Sequence, residues 1–274
     1  MDDRQAVFDK LSKQVRHLEI SGRTTSEQAR PLSSGCQAMD RYLPGGGYQN
    51  GTIVEYLRVQ PACGANYLAL SAAREAMNAS LGFLVVVDLA QQFYPPAAVA
   101  LGIDLQRLVL VRPKSSADAL WAIDQSLRCS AVAAVLAEVD QMDDRAARRV
   151  QLAAEQGGGL GLLIRGAAAR SQPSWAEVQW IVRPLHGESP SQGFAKYPLS
   201  AVASRQVHVQ LIRARGGRAG ANVVIEIDSM RGELREVVRH EQTAAMHLAA
   251  QLARPARASN SSRSGEPGTG SAIA

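Results

Sequence analysis

Residues 57–70 read LRVQPACGANYLAL, and whether they form a phosphate-binding loop decides both the fold and the chemistry of the chain. They lie between an apolar run, TIVEYL (52–57), whose β-branched residues suit a strand, and NYLALSAAREAM (66–77), whose spacing suits a helix. A strand, a tight loop and a helix in that order present helix N-terminal amides to an anion. A loop that uses them reads GxxxxGK[ST]: glycines let the amides curl around phosphates, lysine reaches the terminal ones, and the hydroxyl holds magnesium. Here the four diagnostic positions are Val59, Gly64, Ala65 and Asn66, and only Gly64 matches. Losing the lysine removes charge-assisted hydrogen bonds of roughly 1.5–3 kcal/mol each. The generic attraction of a helix N-terminus for an anion, about 0.3–1 kcal/mol, does not replace them. Val59 carries a Cβ where the turn wants none, and Asn66 is a poor substitute for a magnesium-bound hydroxyl. On local residues alone, the stretch reads as an ordinary strand-to-helix turn.

Outward from this loop, short β-rich runs alternate with alanine-rich helical ones. GFLVVVD (82–88), RLVLVRP (107–113), AVAAVLAEV (131–139) and GLGLLIR (159–165) read as strands. AAVALGI (97–103), ADALWAIDQSLR (117–128) and RAARRVQLAAEQ (145–156) read as helices between them. That order predicts a mostly parallel sheet covered by helices. QVHVQLIRARG (206–216) and NVVIEIDS (222–229) alternate with period two about a glycine-rich turn and predict an antiparallel edge hairpin. Val7, Leu11, Val15 and Leu18 describe an amphipathic N-terminal helix. ELREVVRHEQTAAMHLAAQLA (233–253) reads as a C-terminal helix or pair of helices. The last residues are rich in Ser, Gly, Pro and Arg, and are expected to be disordered. The expected organisation is an N-terminal helical segment over 1–32, an α/β core over 33–228, a C-terminal helical segment over 229–252 and a disordered tail over 253–274.

Composition narrows the class. At 274 residues and 46% hydrophobic, the chain can bury one substantial core with appendages. No run of eighteen apolar residues occurs, and the acidic, polar start MDDRQAVFDK lacks the features of a signal peptide, so a cytoplasmic protein with no membrane partner is expected. Cys36, Cys63 and Cys129 have neither CxxC nor Cys/His spacing, which argues against disulfides and zinc and for buried free thiols. No cofactor or metal is expected. A net charge of +5 permits nucleic-acid contact without demanding it.

Larger blocks carry a resemblance. SGCQAMDRYLPGGGYQNGTIVEYL (34–57) resembles the approach to the ATPase core of the RecA family, where a short helix leads into GGG and a glycine-initiated strand. VVVDLAQQFYPPAAVALGIDLQRLVLVRPKSSADALWAIDQSLRCSAVAAVLAEV (85–139) is similar to that family's second strand, its "LGxDxxxLLxxxP" strand and the helix and strand that follow. The LPGGG, DLAQQFYPPAAVALGID, LVLVRPKSSADALWAI and VQLIRARGGRAG blocks together resemble the ImuA proteins, RecA-like members of the bacterial mutagenic translesion-synthesis cassette, over about four-fifths of the chain. The resemblance implies a RecA-like core.

Carried over position by position, the resemblance implies a degenerate nucleotide pocket of Val59, Gly64, Ala65, Asn66, Asp88 and Glu138. The family's catalytic glutamate stands two residues after the aspartate ending the second strand; here that aspartate is Asp88 and the glutamate's place is Ala90. A methyl group cannot polarise water. Glu138 keeps the carboxylate that supports magnesium, and the nucleotide-sensing glutamine is replaced around Arg165 and Gly166. No enzymatic activity is therefore expected. The family's two DNA-binding loops correspond to DQMDDRAARR (140–149), which opens with acids that repel phosphate, and GAAARSQPSWAEVQW (166–180), where Arg170 and Trp175 are the candidate DNA contacts. Arg213, Arg215 and Arg218, on a turn, are candidates for a protein partner or for DNA. The resemblance implies a non-catalytic adaptor of the SOS-induced mutasome. It would bind ImuB and, through ImuB, an error-prone DNA polymerase III α-type subunit, with RecA contact, self-association and weak DNA binding left open. The alternatives are a DNA-dependent ATPase or recombinase-like mediator and, more remotely, a SulA-like cell-division inhibitor.

Overall fold

The computed structural model describes residues 30–185, 204–228 and 231–237. The amphipathic pattern over 7–18, most of the expected C-terminal helix including His240 and His247, and the tail lie outside them. Among the described residues no helix is long and apolar enough to cross a membrane.

One nine-stranded sheet organises the chain, in the order β3-β2-β4-β5-β1-β6-β7-β8-β9. The strands are β1 (Ile53–Arg58), β2 (Phe83–Val87), β3 (Leu108–Val111), β4 (Val132–Glu138), β5 (Leu160–Gly166), β6 (Val178–Leu185), β7 (Ser204–Ala214), β8 (Asn222–Asp228) and β9 (Glu233–Glu236). β1 to β6 run parallel and β7 to β9 return antiparallel. Continuous apolar runs such as IVEYL and VAAVLA are buried along their length, as strands covered on both faces require.

Five helices are described: α1 (Gln37–Asp40), α2 (Ala65–Ser80), α3 (Pro95–Ala100), α4 (Ser116–Arg128) and α5 (Asp144–Gly157). On one face α2 lays Leu68, Ala69, Ala72, Ala73 and Ala76 over Val54, Leu136 and Leu162. On the other, α4 and α5 cover Val85, Val135 and Leu163 with Ile123, Leu127, Val150 and Ala154. Side chains cap both of these helices: Ser115 Oγ accepts from Asp118 N at 3.1 Å and Asp143 Oδ1 from Ala146 N at 2.7 Å. Under α2 a polar chain stays satisfied, with Trp180 Nε1 donating to Tyr48 Oη at 3.0 Å and Tyr48 and Tyr56 sharing a 2.9 Å hydrogen bond. Burial holds both phenols well above the usual tyrosine range.

The α/β sheet and the β7–β8 hairpin match the sequence reading. Three details differ. Residues 178–180, read as the end of a loop, begin the interior strand β6. Residues 233–236, read as helix, extend the sheet beyond residue 228 as the edge strand β9, pairing with Ile225–Asp228. Cys36 and Cys63 are buried but Cys129 is exposed, because it sits just past the end of α4.

Candidate functional site

In an open α/β sheet, ligands meet the C-terminal ends of the parallel strands. The turn from β1 to α2 lies there, and its conformation is held by packing. Gly64 takes φ +97°, and a Cβ on it would stand 2.9 Å from both Val207 Cγ1 and Ile227 Cδ1. The β7–β8 hairpin therefore seats directly on the loop. Its Arg205 Nη1 donates to Ala62 O at 3.3 Å, and Ala62 itself is left-handed at φ 57°. Gly64, the single retained glycine of the diagnostic four, is thus required by both its φ and the hairpin's approach. Cys63 and Ala65 are buried, while Val59 and Asn66 are exposed.

Beside this turn an open cleft of about 270 Å³ runs between the ends of β2 and β4, lined by Asn66, Asp88, Ala90, Phe93, Leu120 and Glu138 among others. Four of the expected positions, Asn66, Asp88, Ala90 and Glu138, line it, while Val59, Gly64 and Ala65 do not. Asp88 is 8% exposed, and its two carboxylate oxygens accept from Gln92 N at 2.9 Å and Phe93 N at 3.0 Å. Each oxygen therefore takes part in folding the loop after β2, with Arg112 adding an ion pair at 3.8 Å. Ala90, on that loop, presents only a methyl group.

Glu138 has a partner that the sequence reading missed. Arg58, the last residue of β1, reaches across β5, forming a short ion pair with Glu138 and a longer one, 3.3 Å, with Asp140. A guanidinium thus lies on the carboxylate at the position that the resemblance assigns to magnesium support. Among the described residues no group of three or more His, Cys, Asp or Glu side chains could hold a metal ion. The sequence clue was a cation immediately before the loop; its partners, about eighty residues away, gave none.

The sensor position turns away from the cleft. Arg165 is fully buried, donating through Nη1 to Glu55 Oε1 at 2.9 Å and through Nη2 to Gln172 Oε1 at 2.6 Å, while Gln179 Nε2 donates to Glu55 Oε2 at 2.7 Å. The loop from 167 to 177 is consequently anchored to the sheet. Trp175 Nε1 donates to Asp144 at 2.8 Å and the Arg148 guanidinium covers its ring at 4.5 Å, so the ring is pinned to α5. Arg213 is half-buried in β7, donating to Ser174 O at 2.7 Å. Arg215, also half-buried, donates its backbone N–H to Glu177 O at 3.0 Å. Arg170 and Arg218 are exposed. The structure thus gathers Trp175, Arg213 and Arg215 about one loop and leaves Arg170 and Arg218 exposed at the surface.

A sheet of this order, with a phosphate-loop-type turn between β1 and α2, defines a RecA-type core, and the chain belongs to the RecA family: the sequence model of the RecA N-terminal domain matches residues 7–158. Protein ImuA of Caulobacter vibrioides is 28% identical over 202 residues, covering 69% of this chain and 80% of that protein. RecA of Thermosynechococcus vestitus is 35% identical over 111 residues, 40% of this chain and 30% of RecA. The crystal structure of the RadB recombinase superposes with a TM-score of 0.57 at 16% identity, covering 75% of this chain and 99% of RadB, a likeness of fold.

Proposed function

We propose that the chain is a non-catalytic RecA-fold adaptor of SOS-induced mutagenic translesion synthesis, binding ImuB and through it supporting an error-prone DNA polymerase III α-type subunit. The family match and the resemblance to ImuA support the pathway. The observation that carries the non-catalytic part is the Arg58–Glu138 ion pair. It neutralises the carboxylate of the magnesium position beside a loop with Ala65 in place of lysine and Asn66 in place of the hydroxyl. Ala90 supplies no base for water, and both Asp88 oxygens accept backbone amides of its own loop.

In this reading the core is a rigid platform, and its work does not consume nucleotide. Reconstitution tests this with purified chain, ImuB and polymerase on a primed template carrying a lesion. The chain is expected to form a complex with ImuB and to raise extension past the lesion equally with and without ATP. Stimulation that appears only with ATP, together with strand-dependent phosphate release by the chain alone, would support a DNA-dependent ATPase instead.

A further inference from the structure

The parallel strands have a second opening at their N-terminal ends, away from the cleft at their C-terminal ends. There a cleft of about 240 Å³ lies between the starts of β2 and β4 and the ends of α2 and α5, with Leu81, Phe83, Ser130, Val132 and Gly158 among its walls. Leu81 is 79% exposed and Phe83 41% exposed. Leu81 ends α2, its N–H donating to Met77 O at 3.0 Å, and it takes a left-handed φ of 56°. Helix ends of this kind favour glycine or asparagine. A leucine there carries two costs, a strained backbone and apolar surface left to water. A contact that covers its side chain offsets both.

The chain itself supplies the occupant. Leu32, near the first of the described residues, is another wall of this cleft. Its bridge to Tyr48 is antiparallel, with Leu32 N donating to Tyr48 O at 2.8 Å and Tyr48 N to Leu32 O at 2.7 Å. The chain before Leu32 is thereby directed alongside the residues after Tyr48, toward Asn50, which also lines the cleft. Residues 1–29 therefore join the fold at the rim of the opening. In their sequence Val7, Phe8, Leu11, Val15 and Leu18 fall within an arc of about 100° on a helical wheel, and Asp9, Lys13, Arg16 and His17 fall on the opposite side. As a helix, residues 5–20 would be about 24 Å long, and residues 21–29 can span up to about 30 Å. The stripe can thus reach the cleft from its own point of attachment. Among the described residues no Asp, Glu, Lys, Arg or His lines the cleft, so it gives a charged peptide or a nucleic acid nothing to pair with and selects an apolar surface. Tethering gives the segment a local concentration on the order of millimolar, which a second copy in dilute solution does not match. We propose that residues 7–18 dock as an amphipathic helix on this cleft of their own chain, the apolar stripe covering Leu81 and Phe83. This docking goes beyond the adaptor function and does not depend on it.

Cys129 provides a native probe of the full-length chain. It is exposed one residue before Ser130 in the cleft wall, whereas Cys36 and Cys63 are buried, so a thiol-directed nitroxide goes to Cys129. Amide signals of residues 7–18 should broaden when nitroxide and isotope label share a molecule and recover when the nitroxide is reduced. They should stay sharp when the two labels are on separate molecules mixed one to one. Leu81→Asn tests the contact by the sign of its effect. Asparagine suits both water and a left-handed φ, so a Leu81 that met only solvent would melt higher on this replacement. Docking predicts the reverse, a lower melting temperature together with loss of the broadening. Leu11→Glu, on the other side of the contact, should also abolish the broadening while the amide signals of the sheet keep their positions. Residues 7–18 that stay sharp in the doubly labelled molecule, or a Leu81→Asn variant that melts higher and keeps the broadening, would overturn the proposal. Broadening as strong in the mixed sample would overturn it too, making a second copy the occupant. ImuB titrated against the parent chain tests the adaptor function separately: failure to bind would count against the adaptor, while the nitroxide result still decides the docking.

Discussion

Two arginine–carboxylate clusters lie on neighbouring strands and differ in almost every other respect. Arg165 and Glu55 meet in the middle of the sheet with side chains 0% and 1% exposed. Arg58 meets Glu138 and Asp140 at the mouth of the cleft, with side chains 20%, 30% and 60% exposed. Glu55, bonded by Arg165 and Gln179, cannot lose a partner without leaving a charge in a low-dielectric interior. Arg58 can leave its partners to water. The first cluster therefore belongs to the fold and the second to whatever chemistry the strand ends retain, although both began as polar residues inside otherwise apolar runs.

The largest expected effect comes from breaking the buried cluster. Arg165→Met should destabilise the chain by about 3–5 kcal/mol, the cost of an uncompensated buried charge, read from the urea midpoint at constant slope. Replacing Glu55 with Leu in the same chain should restore much of that loss. A single-variant cost under about 1 kcal/mol would make the two clusters equivalent and collapse the comparison. Next, Gly64→Ala should cost about 1–3 kcal/mol, because a methyl group would press on Val207 and Ile227 and L-residues avoid φ +97°. Melting of this variant shows whether the loop is held by the hairpin; an unchanged midpoint would free it for another role.

Arg58→Ala should cost no more than about 1 kcal/mol, a partly exposed pair screened by salt, and the difference from the parent chain should shrink at high ionic strength. A loss as large as that of Arg165→Met would move Arg58 into the structural class. The smallest effect concerns His208 on β7, whose pKa is lowered from 6.5 first by desolvation and then by the Arg183 charge. In the unfolded chain this imidazole binds its proton more readily, so it subtracts stability as pH falls through about 6.5. His208→Gln should flatten that acid-side decline in a stability–pH series while leaving the neutral plateau in place.

Much of the fold was legible because the strands are buried on both faces and the helices between them are alanine-rich, so length and periodicity alternate cleanly from residue 52 to residue 165. β6 was harder to see. Its inward positions Val178, Trp180 and Val182 do alternate, but the Pro- and Ser-containing stretch before it reads as loop, and Pro184 reads as a breaker. β9 is four residues, ELRE, with strong local helix propensity, and only pairing with β8 makes it a strand; tertiary context overrides propensity at that length. At the cleft, the residues at the positions that the resemblance assigns to lysine, hydroxyl and base, Ala65, Asn66 and Ala90, could be read directly. Spatial roles could not: Asp88 as a cap for its own loop, Trp175 locked against Asp144 and Arg148, and Arg58 laid on Glu138 all depend on partners that chain order separates or does not rank. Arg213, expected on a free turn, is tied to Ser174, so removing it would disturb the loop it supports as well as any partner surface. A chain cut near Val182 would lose β7 to β9 and the cover over Gly64, and is not expected to fold as the core does.

Calorimetric titration of the full-length chain with ATP and magnesium, up to millimolar nucleotide, addresses the central claim most directly. With Arg58 on Glu138 and alanine at the lysine position, the expected result is no saturable heat and no rise in melting temperature over the same range. Saturable binding accompanied by a rise of several degrees would contradict the non-catalytic reading and return the cleft to the nucleotide-binding sites of its family.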